Sequence, residues 1–265
     1  MGGVIFMKRL VLTSVACVAF AGSAAAADLA PVYKAPYYKA PVVAQVYDWT
    51  GFYIGGHIGG AWTDETATLS DTTSPILLNP LGTAISGNRD GFLGGAQIGY
   101  NYQIQHLVLG VGGDFSWTNA RETTSTASTL IPGGVTTSQG TTNWYATLTG
   151  RAGYAWDNWL LYGKGGAAWI NERFSGNATA TIPGVGTLTE TSSPITDTRA
   201  GWTLGAGLEW AFSRRWSAFA EYDYLGFPNK TETFAVSPGG FTASNSVSTN
   251  VSMVKAGVNY QFPIY

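Results

Sequence analysis

The chain has 265 residues, of which 11% are charged, and a formal net charge of −2 at pH 7. Ordinary soluble domains carry roughly 25% charged residues, and this balance excludes a basic face for nucleic acid. Glycine (35), tryptophan (10), tyrosine (14) and phenylalanine (12) are abundant instead, which suits a β protein with little conventional soluble surface.

In chain order, Lys8 and Arg9 precede the apolar "LVLTSVACVAFA" and the small-residue stretch "GSAAAADLAP". That is the pattern of an export signal, residues 1–27, cut between Ala27 and Asp28. Cys17, the one cysteine, falls inside it, and Ser14 stands where a lipoprotein site needs a large apolar residue. The mature chain therefore offers no thiol chemistry and no disulfide. Loss of Lys8 and Arg9 leaves 12 bases against 16 acids, a net charge of −4. No later run of 18 apolar residues exists to make a spanning helix. Residues 28–48, with Pro31, Pro36 and Pro41, read as an extended N-terminal linker.

From residue 49 to the C-terminus, alternation of apolar and small or polar residues recurs eight times. This period of two specifies strands. Approximate strands are 50–63, 90–103, 107–118, 142–156, 159–170, 199–212, 216–225 and 251–262. Connections alternate between tight turns ("IQH", "DN", "SRR") and polar stretches of roughly 20 to 30 residues rich in Thr, Ser, Gly and Pro. Such alternation defines an up-and-down barrel of four hairpins. The faces decide whether it is a soluble or a membrane barrel. Trp62, Trp117, Trp144, Trp156, Trp202, Trp210 and Trp216 cluster at segment ends on the apolar face, where an aromatic girdle meets the lipid interfaces. The opposite face carries Asp114, Arg151, Lys164, Glu209, Glu221, Asp223 and Lys255 beside Gly, Thr, His57, Gln97 and Asn259. Four acids against three bases are sparse for a soluble surface. Inside a narrow barrel they form a nearly balanced network, and buried charge requires such partners. The expected fold is all-β: residues 49–265 form an eight-stranded antiparallel up-and-down transmembrane β-barrel with long extracellular loops and short periplasmic turns.

The motifs "DLAPVY", "WTGFYIGGHIGGAW", "LLYGKGGAAW" and the ending "VKAGVNYQF" together resemble the alphaproteobacterial outer-membrane porin-like or immunogenic proteins, relatives of the opacity and OmpA-type eight-stranded barrels. The resemblance runs almost the length of the mature chain. It implies a surface barrel of a Gram-negative outer membrane, exported by the cleaved signal and delivered to the barrel-insertion machinery by its aromatic C-terminal strand. Here "PIY" follows Phe262, a departure from the usual terminal Phe. The family implies weak porin activity, haem binding or envelope integrity, and no catalytic residues.

The remaining motifs point to no chemistry. "GGHIGG", "GFLGG" and "GKGG" lack the helix that a phosphate loop needs. His57 inside the first strand and His106 in a turn do not form a metal pair. Glu209, Glu221 and Asp223 are better explained as ion-pair partners than as a catalytic set. The protein is expected to be no enzyme, with no cofactor and no metal. Its expected role is envelope-structural, with a lumen filled by the charged network. A small-solute porin is the alternative, and loop-mediated capture of a ligand such as haem, or of a foreign surface, is a further one.

Overall fold

The computed structural model describes residues 47–73, 80–128, 131–182, 184, 186–237 and 241–262. The chain divides into a unit of residues 1–43 and a unit of residues 44–265. The expected export signal, the Ala27/Asp28 cut site, the linker as far as residue 46 and the tail after Phe262 lie outside the described residues.

Every described element is a strand: β1 (Gly51–Thr72), β2 (Ala84–Ile104), β3 (Leu107–Thr118), β4 (Arg121–Ala127), β5 (Val135–Trp156), β6 (Trp159–Ile182), β7 (Gly186–Ala211), β8 (Trp216–Ser237) and β9 (Phe241–Phe262). They pair antiparallel in the order β3-β2-β1-β9-β8-β7-β6-β5. Pairing of β3 with β5, from Leu107↔Tyr154 to Trp117↔Trp144, closes the ring. β4 continues β3 after Asn119 and Ala120 and pairs with the same β5. The result is an eight-stranded up-and-down barrel, its ring closed by the β3–β5 pairing.

At one end the connections are tight. Gln105-His106 joins β2 to β3, and Asp157-Asn158 joins β5 to β6. Gln105 (φ 56°) and Asp157 (φ 50°) take the left-handed conformation that two-residue hairpins demand. The other end differs from expectation in one respect. Much of the described part of the polar stretches prolongs the strands, so that β6 and β7 reach 24 and 26 residues. Thr-rich sequence is good strand sequence once both of its faces are wet.

The faces follow the alternation. Ile58, Phe92, Ile98, Val111, Leu148 and Leu204 are 59–81% exposed on the outer surface, a continuous apolar band that water would not tolerate. Two aromatic belts border it. Trp62, Trp117, Trp144 and Trp202 stand on the outer side. Trp156, Trp159, Trp210 and Trp216 stand near the tight turns. Trp159, absent from the expected girdle, stacks on Trp210 with ring centroids 5.9 Å apart. Along β5 twelve residues separate the belts and along β7 eight do. That is about 26–40 Å along a strand, or roughly 20–30 Å along the normal at the usual tilt, bracketing the ~25 Å apolar band of outer-membrane barrels.

Backbone pairing marks the same boundary. Between the belts the β7–β8 ladder is continuous, from Trp202↔Gly226 to Ala211↔Ser217. Beyond Trp202 it lapses and resumes only at Ser192↔Val236. Pro194 and Pro228, which have no N–H to donate, lie in the unpaired stretch. The register shifts at Leu69/Asp71, Thr142/Trp144, Phe174/Gly176 and Phe227/Lys230 also fall at or beyond the outer belt. Lipid offers unpaired backbone nothing, whereas water does; irregularity is therefore confined to the wet part.

Candidate functional site: the barrel interior and its outer vestibule

The interior is organised in layers, beginning at the tight-turn end. Trp49, Val108, Ala155, Leu160, Tyr162 and Ala211 form a buried apolar cluster there, with Tyr47 packed on it. The Trp49 amide donates to Gln103 Oε1 at 2.8 Å, and the Tyr47 hydroxyl donates to Gln261. The last residues of the expected linker are thus folded into this end of the barrel.

Arg151 and Glu209 come next, 3.3 Å apart. Glu209 also accepts from Ser217 Oγ (2.5 Å) and Asn259 Nδ2 (2.7 Å). Arg151 donates through Nε to Asn101 (2.7 Å) and lies over the rings of Tyr53 and Tyr162. These large inward rings need room on neighbouring strands: a Cβ on Gly207 would lie 2.5 Å from Tyr162. Gly99 and Gly112 seat Tyr53 in the same way, whereas Gly59, Gly95 and Gly166 of the glycine runs lie closest to the backbone of the neighbouring strand.

The other five charges on the polar face meet in mid-barrel. Lys255 Nζ, wholly buried, lies 2.7 Å from Asp223, 3.1 Å from Glu221 and 3.2 Å from Asp114. Lys164 Nζ lies 2.6 Å from Glu221, 3.0 Å from Asp223 and 3.9 Å from Asp114. Thr147 donates to Asp114. Tyr162, whose hydroxyl donates to Glu221 at 2.9 Å, links this group to Arg151. All seven charged residues singled out in the sequence thus lie in two adjoining groups. β6 buries Leu160, Tyr162 and Ile170 beside Lys164 and exposes Trp159 and Leu161; both of its faces are apolar, so its pattern alone does not orient it.

His57 is buried on the same face, its Nε2 2.8 Å from Ser116 Oγ. His106 sits in the β2–β3 turn with Nδ1 3.0 Å from the Ala155 carbonyl. The structure does not bring the two histidines together.

Above the charges, the expectation of a polar interior needs correction. Leu93, Tyr145, Ile170, Leu225, Phe227, Val251 and Met253, with Ala61 and Ala168, form a second buried apolar cluster across the lumen. An eight-stranded barrel is only wide enough to be filled by side chains, and apolar side chains fill it without needing partners.

Beyond that layer lies a charge cluster absent from the sequence reading. Buried Arg89 donates to Glu65 and, at 2.6 Å, to Glu172; Arg199 pairs with Glu172 from the other side. Strand ends placed near residues 63, 90, 170 and 199 hid it. The signal was available in parity: Glu65, Arg89, Glu172 and Arg199 keep the inward phase of His57, Gln97, Lys164 and Glu209 on their strands. Glu65 lies beyond the Trp62 belt, and burial pushes its carboxyl up to about 7, against the opposing pull of Arg89 and with a smaller push from Glu172. Arg89 and Glu65 form the floor of an outward-opening cavity of about 250 Å³. Where the β7–β8 ladder lapses, Lys230 bridges the wall, 2.6 Å from Asp197 and 3.1 Å from Glu232.

Several known proteins are similar to this chain. Residues 13–262 match the family model described as outer membrane protein beta-barrel domain. The 31 kDa outer-membrane immunogenic protein of Brucella melitensis is 31% identical over 263 residues, 97% of this chain and 100% of that protein. The 25 kDa outer-membrane immunogenic protein of Brucella abortus is 27% identical over 259 residues, 97% of this chain and 99% of that protein. Among solved structures, Ail, the attachment invasion locus protein of Yersinia pestis, aligns with a TM-score of 0.38 at 15% identity, over 80% of this chain and 99% of that one. With a closed barrel, an apolar outer band and these relatives, the chain belongs to the outer-membrane β-barrel protein family and resides in the outer membrane.

Proposed function

We propose that this protein is an envelope-structural surface barrel with a closed lumen and no catalytic activity. The observation that carries the reading is the full burial of Lys255, at 0% exposure, among three carboxylates. An ammonium so placed is held by its partners and not by water. The apolar clusters on either side of the charges support closure at two further levels. A strand ending at Phe262, paired with Phe52 of β1, is the segment that the insertion machinery would read. The alternative of a small-solute porin requires a water path through all three levels. Single-channel recording of the refolded mature protein in a planar bilayer tests the choice. Silence from a folded barrel is expected; reproducible conductance steps, altered by substitutions at Arg151, would overturn the closed-lumen reading.

A further inference from the structure

We infer that the outer vestibule is a binding site for a small basic amino acid, taken by its carboxylate on Arg89 and by its ammonium groups on the surrounding glutamates. This goes beyond the closed-barrel reading and does not depend on it.

The first observation is an incomplete guanidinium. Arg89 is 2% exposed and spends Nη2 on both Glu65 and Glu172. Its Nη1 and Nε find no acceptor in the protein. A guanidinium presents five N–H donors in a fixed fork that matches a carboxylate, and unmet buried donors are unfavourable. Arg89 lines the cavity floor, so an acceptor entering from outside would complete it.

The second is the charge around that floor. Glu65, Glu122 and Glu190 line the cavity with Arg89. Arg89 and Arg199 balance Glu65 and Glu172, and Glu122 adds a further carboxylate to the cavity lining, so a ligand that brings positive charge with its acceptor is favoured over a simple dianion. Glu122 is well placed to receive it. Its carboxylate stands over Gly87, where a Cβ would come within 2.6 Å, and it accepts from Thr124 Oγ1 at 2.7 Å.

The third is size and wall chemistry. A volume of about 250 Å³ falls just below the roughly 300–1,000 Å³ of pockets for drug-sized ligands, which fits an amino acid. Phe174, whose ring centroid lies 5.2 Å from the Arg89 guanidinium carbon, lines it with Ile85 and Val247. These supply an apolar wall for a methylene chain. A carboxylate, two ammonium groups and a short aliphatic chain are the parts of L-lysine.

The test is an NMR titration of the ¹⁵N-labelled mature barrel in detergent micelles with L-lysine, putrescine and succinate. L-lysine should shift the amides of Gln139, Gly140 and Ser175 saturably, with a dissociation constant on the order of 1 mM. Putrescine, lacking the carboxylate, should bind about tenfold more weakly, and succinate should not bind. Glu122→Gln should weaken both cations. Arg89→Lys keeps a positive charge for Glu65 and Glu172 but loses the unpaired Nη1–Nε edge of the fork, so it should weaken L-lysine and leave putrescine unchanged. Amide spectra of the variants show whether each still folds. Absence of saturable shifts with L-lysine, equal binding of succinate, equal affinity for putrescine, or an unchanged L-lysine isotherm in the folded Glu122→Gln variant would each overturn the proposal.

Discussion

The interior holds two buried charge clusters, and their surroundings make them different devices. The mid-barrel group of Asp114, Lys164, Glu221, Asp223 and Lys255 is closed in by buried apolar side chains above and by Tyr162 and the tight-turn cluster below. The outer group of Glu65, Arg89, Glu172 and Arg199 has an apolar layer beneath it and an open cavity above. The wall around the first is continuous ladder, and the wall beside the second lapses between β7 and β8. A closed cluster in a low-dielectric interior depends wholly on its partners. A cluster at the edge of water can exchange partners for solvent or ligand, and has Nη1 and Nε of Arg89 left over.

The largest effect should come from breaking the closed cluster. Lys255→Leu leaves Asp114, Glu221 and Asp223 with Lys164 as their one remaining cation in that group, and removing one partner of a buried pair costs about 3–5 kcal/mol. Urea unfolding in micelles should show it; an unmoved midpoint would mean that water already reaches the group.

The outer wall sharpens the contrast at somewhat smaller cost. Outward Leu109 of β3 lies between the belts, so Leu109→Arg should cost about 2–4 kcal/mol near the bilayer midplane. Thr66→Arg, on the exposed face of β1 beyond Trp62, should cost about 0–1 kcal/mol. Equal losses in lipid-bilayer refolding experiments would misplace the membrane boundary.

The effect at the outer cluster appears as a pH dependence. The Glu65 carboxyl titrates near 7 in the folded protein, against 4.5 for an ordinary glutamate. The folded state therefore holds this proton more tightly than the unfolded chain does. Its contribution to stability is fully present below about pH 4.5 and is lost as pH rises towards about 7. Glu65→Gln should flatten that part of the stability profile while changing stability at pH 5 little. A profile identical to the parent protein's would show that Arg89 holds Glu65 ionised throughout.

Legibility from sequence divided along the same line. Trp62, Trp117, Trp202 and Trp210 on one parity, and Lys255, Glu221 and Glu209 on the other, announced the faces because lipid forces strict alternation. Beyond the belts polar residues dominate the alternation, so Thr-rich strand reads as loop, and inward parity is the signal that Arg89 and Glu172 carry. Leu93, Tyr145, Ile170 and Met253 were also unreadable as a layer. Each sits on a different strand, and only the register between strands sets them at one height.

The sequence by itself determined the barrel, its membrane face and the inward direction of its mid-barrel charges, because period-two alternation is a local property of each strand. The tertiary structure decided which inward residues share a level: two apolar layers, a closed charge cluster between them and an open one outside. Stagger between strands sets those levels, and stagger is a relation between segments far apart in the chain that no single segment encodes.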